Sequence, residues 1–177
     1  GGQGSLNRTG GHSQANPAAM SYSIRPYQSD NLEAIKVITL AGFAGVSHDH
    51  ALEEKLGGEL AGHDWRWRKV RHIDDDVAAH AEGIFVADVE GEVLGYISTV
   101  LDREAGKGRI PNLAVAASAR GQGIGRALIG HALAYFRKEK LAYAVIETMD
   151  SNPIGQTLYP ASGFQEIARQ VHYAQRL

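Results

Sequence analysis

Residues 110–140 read IPNLAVAASARGQGIGRALIGHALAYFRKEK. Leu113-Ala114-Val115, near the head, is an extended apolar segment, and the short Ala116–Ala119 connection leads into Arg120-Gly121-Gln122-Gly123-Ile124-Gly125-Arg126. Behind the glycines, Ile124, Leu128, Ala132 and Phe136 recur with Ile129 and Leu133 beside them. That is the period of a helix with one buried face. Strand, glycine turn and helix in this order suit an anionic phosphate. The glycines let the backbone approach a ligand and adopt positive φ. The unpaired N–H groups and positive dipole end of the helix then face that ligand. Arg120 and Arg126 add cationic donors suited to phosphate oxygens.

The turn has no Lys-Ser/Thr pair, so it is not a nucleoside-triphosphate loop. Counting from Gly121, the last position of a dinucleotide fingerprint holds Arg126, so that pattern misfits too. A plain tight turn is the structural alternative. What the residues do match is Arg/Gln-x-x-Gly-x-Gly/Ala, here Arg120-x-x-Gly123-x-Gly125 after a Leu-x-Val strand. This resembles the pyrophosphate-binding motif of the GCN5-related N-acetyltransferase (GNAT) superfamily.

The bulk properties leave room for such a protein. At 177 residues the chain suits one domain with its own core. Its 44% apolar and 21% charged residues are ordinary for a globular protein. A net charge of −2 makes no electrostatic case for nucleic acid or an anionic membrane as partner. No apolar run approaches the roughly 20 residues of a membrane span, and no signal segment is evident; a cytoplasmic protein is expected. The absence of cysteine excludes disulfides, thiolate metal sites and an acyl-cysteine intermediate.

Residues 1–19 are rich in Gly, Ser, Asn and Gln, and Met20 reads as a natural start. They are expected to be a disordered leader or an appended remnant, with the folded domain at 20–177. A first strand is predicted at Tyr22-Ser23-Ile24-Arg25. A helix follows from an Asp30 cap with Glu33 completing a capping box, and Gly42 and Gly45 punctuate a loop. A second helix is predicted from near His50, carrying Leu52, Leu56 and Leu60. From Ala61 to Glu82 the pattern is weak, with Trp65 and Trp67 expected as core and edge contacts and Asp74–Asp76 as an exposed turn. Residues 84–89 and 93–100 form the clearest hairpin, around Glu90-Gly91. Residues 102–108 turn back into the strand that ends at Val115. Residues 142–148 are another strand. Asn152-Pro153 caps a short helix ended by Gly163, and residues 164–167 and 171–174 are expected to close the fold as a hairpin.

The segment ETMDSNPIGQTLYPASGF, residues 147–164, carries a second resemblance. It is similar to the superfamily's C-terminal motif, in which an Asn and a Leu-Tyr pair precede Gly-Phe. Its Glu-x4-Asn-x6-Tyr spacing is closest to the branch acting on protein N-termini, including the ribosomal-protein alanine acetyltransferases. The resemblance implies a mixed, mostly antiparallel central sheet flanked by helices, of the α/β (α+β) class. It implies acetyl-CoA as co-substrate, with Leu113, Ala114 and Val115 pairing with the pantetheine amides. Arg120, Gly121, Gln122, Gly123, Ile124, Gly125 and Arg126 would hold the pyrophosphate, and Asn152 would bond the pantetheine arm. It implies Glu147 as general base, often through water, and Tyr159 as general acid beside the cofactor.

The chemistry calls for such groups. A primary amine, with a reference pKa of about 10.4 for Lys or about 7.7–8.0 for an α-amine, must lose a proton before it attacks a thioester. The departing thiolate needs one back, and a phenol is a reasonable donor. Direct transfer in a ternary complex is expected, since no cysteine can carry the acyl group. Pro160 is expected to bias Tyr159 away from helical geometry. Glu147 could instead merely pair with an arginine at a strand end. His48, His50, His63, His72 and His80 read as a solvated loop and helix face, not a metal site. The acceptor remains open between a protein N-terminus and a small-molecule amine (polyamine, amino acid or aminoglycoside). A non-catalytic acyl-CoA-binding module is the rival, and a second copy of the chain is a candidate partner.

Overall fold

Two small sheets share the fold, and one pair of arms, residues 92–102 and 107–115, passes from one sheet to the other while staying paired with each other. The computed structural model describes residues 19–177. In chain order the elements are β1 (Ser23–Pro26), α1 (Leu32–Phe43), α2 (His48–Leu56), α3 (Trp65–His80), β2 (Phe85–Val89), β3 (Glu92–Ile97), β4 (Val100–Asp102), β5 (Lys107–Ile110), β6 (Leu113–Val115), α4 (Ile124–Lys138), β7 (Tyr143–Ile146) and α5 (Pro153–Ala161). One sheet runs β1-β2-β3-β6 and is antiparallel throughout. The other runs β4-β5-β7, with β5 and β7 parallel. This is the mixed, mostly antiparallel α/β arrangement expected.

Helices cover both sides of the larger sheet. The apolar stripe of α4 buries Ile124, Leu128, Ile129, Ala132 and Phe136 against Phe85, Leu94, Ile97 and Ile110. At roughly 1.5–3 kcal/mol per large side chain, that face is enough to hold the helix on the sheet. A second cluster joins Ile35 and Ile38 of α1 and Ile73 of α3 to Val86, Val93, Tyr96 and Ala114. Tyr96 is fully buried, and its hydroxyl lies 2.5 Å from Thr39 Oγ1, which in turn donates to Ile35 C=O at 2.6 Å. The phenol is therefore buried with a partner for its polar end.

Several sequence expectations need correction. The long strand 93–100 is broken at Ser98-Thr99 into β3 and β4, and the strand leading to Val115 is broken at Pro111-Asn112 into β5 and β6. The first helix is entered through a 3-10 turn, Ser29–Asn31, where Asn31 Oδ1 accepts the Gln28 N–H at 2.9 Å; Asp30 is not the cap. Gly42 lies inside α1 instead of in a loop. The second helix begins earlier, with Ser47 Oγ accepting the His50 N–H, and stops before Leu60 at Gly57, whose φ is 78°. The weak stretch contains the sixteen-residue α3, capped by Asp64, and Asp76 is buried within it instead of lying on an exposed turn. Trp65 is core and Trp67 edge, as expected. Residues 164–177 form no strand, so the closing hairpin is absent; Ile167, Val171 and Tyr173 are exposed. Alternating apolar residues make a strand only where a partner supplies the ladder bonds. The expectation for residues 1–19 lies outside the described residues, apart from the exposed Ala19.

Candidate active site

An open backbone edge begins where β7 stops pairing. β7 follows β5 only as far as the pair Ile110–Ile146. β6 continues alone beside β3, with Gly95–Val115 and Ile97–Leu113 as register pairs. Toward the β3 side, Ser98 N–H donates to Asn112 C=O (2.9 Å) and Ala116 N–H donates to Leu94 C=O (2.8 Å). Alternation along an antiparallel pair therefore turns the N–H and C=O of Leu113 and Val115 to the other edge, where β7 no longer runs. Ala114 is buried against α1 and serves as floor, not as a donor to that edge.

The glycine turn closes one end of this edge. A 3-10 turn, Ala117–Ala119, leads to Arg120, and the backbone then passes through Gly121 (φ 76°) and Gly123 (φ 77°). A Cβ on either would meet nothing within 4 Å, so conformation and not crowding demands glycine there. The first bond outside the helix interior is Ala127 N–H to Gly123 C=O; the amides from Gly121 to Arg126 have no backbone acceptor among the described residues. Arg120 and Arg126 are exposed beside them, whereas the Ile124 side chain points into the core and contributes only its amide. Gln122 Oε1 accepts the Met20 N–H at 3.3 Å. Unpaired amides, a helix N-terminus and two guanidinium groups fit a diphosphate.

The C-terminal motif meets the turn at Gly125. A Cβ there would lie 3.3 Å from Leu158 Cδ2 of α5 and 3.8 Å from Val115 Cγ2 of β6. Tyr159 follows Leu158 and packs into the α4-side core, its ring edge-on to Phe164. Burial raises its phenol above the ordinary tyrosine value. Pro160 lies within α5, and Tyr159 keeps its helical place, contrary to expectation. Asn152 caps α5: its Oδ1 accepts the Ile154 N–H and its Nδ2 donates to Thr148 Oγ1, both at 3.2 Å. One Nδ2 hydrogen remains for a ligand. Glu147 sits just beyond β7 with its side chain 76% exposed, and Arg109 Nε lies 3.6 Å from its Oε1. The arginine pairing weighed in the sequence is thus present.

The profile of the Acetyltransferase (GNAT) family matches residues 45–164. The chain belongs to that family. An uncharacterized N-acetyltransferase of Methanocaldococcus jannaschii is 36% identical over 83 residues, covering 46% of this chain and 52% of that protein. The chain spans about half the length of the curated relatives it matches. Among solved structures, the PaiA N-acetyltransferase of Thermoplasma acidophilum in complex with coenzyme A aligns with a TM-score of 0.65 at 17% identity, over 82% of this chain and 91% of that one. The ribosomal-protein-S18-alanine N-acetyltransferase of Escherichia coli aligns with a TM-score of 0.58 at 19% identity, over 84% and 80%. At those identities the likeness is one of fold.

The sequence of this GNAT-family chain did not announce everything near the edge. Lys69, Asp76, Ser98 and Asn112 are all buried and hydrogen-bonded together where the paired arms cross from one sheet to the other. The hydrophilic character of Lys69 and Asp76 hides them, since buried charges leave no apolar period to read. The histidines are also more engaged than a solvated face would make them. His50 Nδ1 accepts the Gly45 N–H and its ring stacks on Trp65; His63 stacks on Trp67; His80 Nε2 lies 2.6 Å from the Tyr135 hydroxyl. Among the described residues, no three His, Asp or Glu side chains group as metal ligands, and no helix is long and apolar enough to cross a membrane.

Proposed function

We propose that this chain is a cytoplasmic, acetyl-CoA-dependent N-acetyltransferase that transfers acetyl to a primary amine by direct attack in a ternary complex. The observation that carries this is the open edge of β6 running into the glycine turn. Leu113 and Val115 offer strand-like hydrogen bonds to an extended amide-containing arm, and unpaired amides lie where its diphosphate would follow. On this reading Leu113, Ala114 and Val115 line the pantetheine, residues 120–126 grip the pyrophosphate, and Asn152 gives its spare hydrogen to the arm.

Attack on the thioester carbonyl places negative charge on oxygen. A free β6 amide, fixed before the reaction begins, is suited to receive it. Glu147 takes the proton from the amine; its exposure beyond the strand end favours a route through water. Tyr159 returns a proton to the thiolate. Burial holds that phenol above the ordinary tyrosine value, which makes it a reluctant donor until charge forms on sulfur. Proton delivery must therefore accompany C–S cleavage as charge builds on sulfur.

The acceptor we favour is a protein N-terminus, supported by the Glu147-Asn152-Tyr159 spacing; small-molecule amines are the alternative. The non-catalytic acyl-CoA-binding rival draws on one observation, the Glu147–Arg109 pair. Acetyl-CoA turnover against polyamines, amino acids, aminoglycosides and N-terminal peptides tests the proposal. Turnover with intersecting initial-rate lines is expected. Parallel lines would overturn the ternary mechanism, and binding of coenzyme A without turnover of any amine would favour the rival.

A further inference from the structure

The two places where strands leave one sheet for the other are tied together by buried side chains. Ser98 stands between β3 and β4, and Asn112 between β5 and β6; they are 1% and 4% exposed. Ser98 N–H donates to Asn112 C=O at 2.9 Å. The return bond goes not to a carbonyl but to a side chain, with Asn112 N–H donating to Ser98 Oγ at 3.0 Å. Ser98 Oγ then donates to Asp76 Oδ2 at 2.7 Å, and Asn112 Nδ2 donates to the same oxygen at 2.6 Å. Lys69 Nζ completes the cluster, donating to Asn112 Oδ1 at 2.8 Å and lying 3.9 Å from the Phe43 ring centroid. Lys69, Ile73 and Asp76 recur at i, i+4 and i+7, so one face of α3 presents all of this inward.

Stability alone is a poor account of the arrangement. Two ionisable groups taken out of water each carry a desolvation penalty, and apolar residues would fill the space without it. Burial accordingly raises the Asp76 carboxyl and lowers the Lys69 amine relative to their ordinary values. What apolar residues cannot do is hold two strand breaks at a set orientation. Leu113, whose amide and carbonyl face the open edge, is the residue immediately after Asn112.

We infer that Asp76, acting through Asn112 and Ser98, is a positioning residue that fixes the β6 edge where the acyl-pantetheine arm pairs. The inference rests on reading that edge as the thioester site. The diphosphate grip on the glycine turn lies outside the cluster and does not depend on it.

The test compares acetyl-CoA with adenosine 3′,5′-bisphosphate extended to its 5′-diphosphate, which keeps the diphosphate and lacks the arm. Calorimetry is run on the full chain well below its melting temperature. Asn112→Asp sets a second carboxylate against Asp76 and is expected to weaken acetyl-CoA about tenfold or more while the diphosphate fragment changes less than about twofold. Adding Asp76→Asn restores one carboxylate and one amide and is expected to recover most of the lost affinity. Ser98→Ala, which deletes one hydroxyl, is expected to give a smaller loss of the same selectivity if Asn112→Asp does not fold. Equal losses for both ligands, unchanged acetyl-CoA affinity, or no recovery in the double variant would overturn the inference. Wild-type protein that binds the fragment but not acetyl-CoA would overturn the reading of the edge itself, and the inference with it.

Discussion

Two glycine-to-alanine changes in one helix region should move stability in opposite directions. At Gly123 the backbone φ is 77°, and a Cβ would meet no atom within 4 Å. The whole penalty is therefore the left-handed conformation, about 1–2 kcal/mol for an L-residue. Gly130 lies in the body of α4, exposed, with equally open space around its Cβ and no positive φ. Alanine there gains about 0.5–1 kcal/mol from reduced chain entropy and better helix propensity. For a chain of this size about 2–4 °C accompanies each kcal/mol. Gly123→Ala should thus melt roughly 2–8 °C lower and Gly130→Ala roughly 1–4 °C higher than the parent. Coenzyme A affinity, measured by calorimetry, should fall about tenfold or more in Gly123→Ala, because relieving the strain turns amides away from the diphosphate; it should not change in Gly130→Ala. Shifts of the same sign in both variants, or undiminished coenzyme A binding by Gly123→Ala, would refute the reasoning.

Other expectations concern the proton-transfer groups and the buried phenol. Glu147→Gln and Tyr159→Phe should each lower kcat by about 10²–10⁴-fold with little change in melting temperature, and unchanged turnover in both would remove their proposed roles. Tyr96 has its pKa raised by burial, so it favours the fold fully below about pH 10 and less as pH rises beyond that, when the unfolded phenol ionises first. Tyr96→Phe should lose about 1 kcal/mol near neutrality, since Thr39 keeps its bond to Ile35, and should show a shallower fall in melting temperature between pH 9 and 11. An equally steep fall in the variant would sink that account.

The sequence by itself determined the elements whose signal is local. The stripe of α4 repeats with the helical period, Asn152-Pro153 starts α5 by its own hydrogen bond and fixed φ, and Glu90 and Gly91, at φ 52° and 90°, close the hairpin they predicted. The candidate ligand residues were legible for the same reason: glycines with positive φ, free amides and nearby arginines are neighbours along the chain. Tertiary structure decided the rest. Nothing local in residues 61–82 shows that Lys69 and Asp76 point inward, because their partners Asn112 and Ser98 are 43 and 22 residues away. Alternation in residues 164–174 promises a strand, yet a strand needs a partner's ladder bonds, and this segment pairs with no edge of either sheet. The open edge of β6 exists only because β7 stops pairing at Ile146 while β6 runs on beside β3, and a buried carboxylate accepting a hydrogen bond from the side chains of both Ser98 and Asn112 is a relation between distant residues that no single stretch can encode.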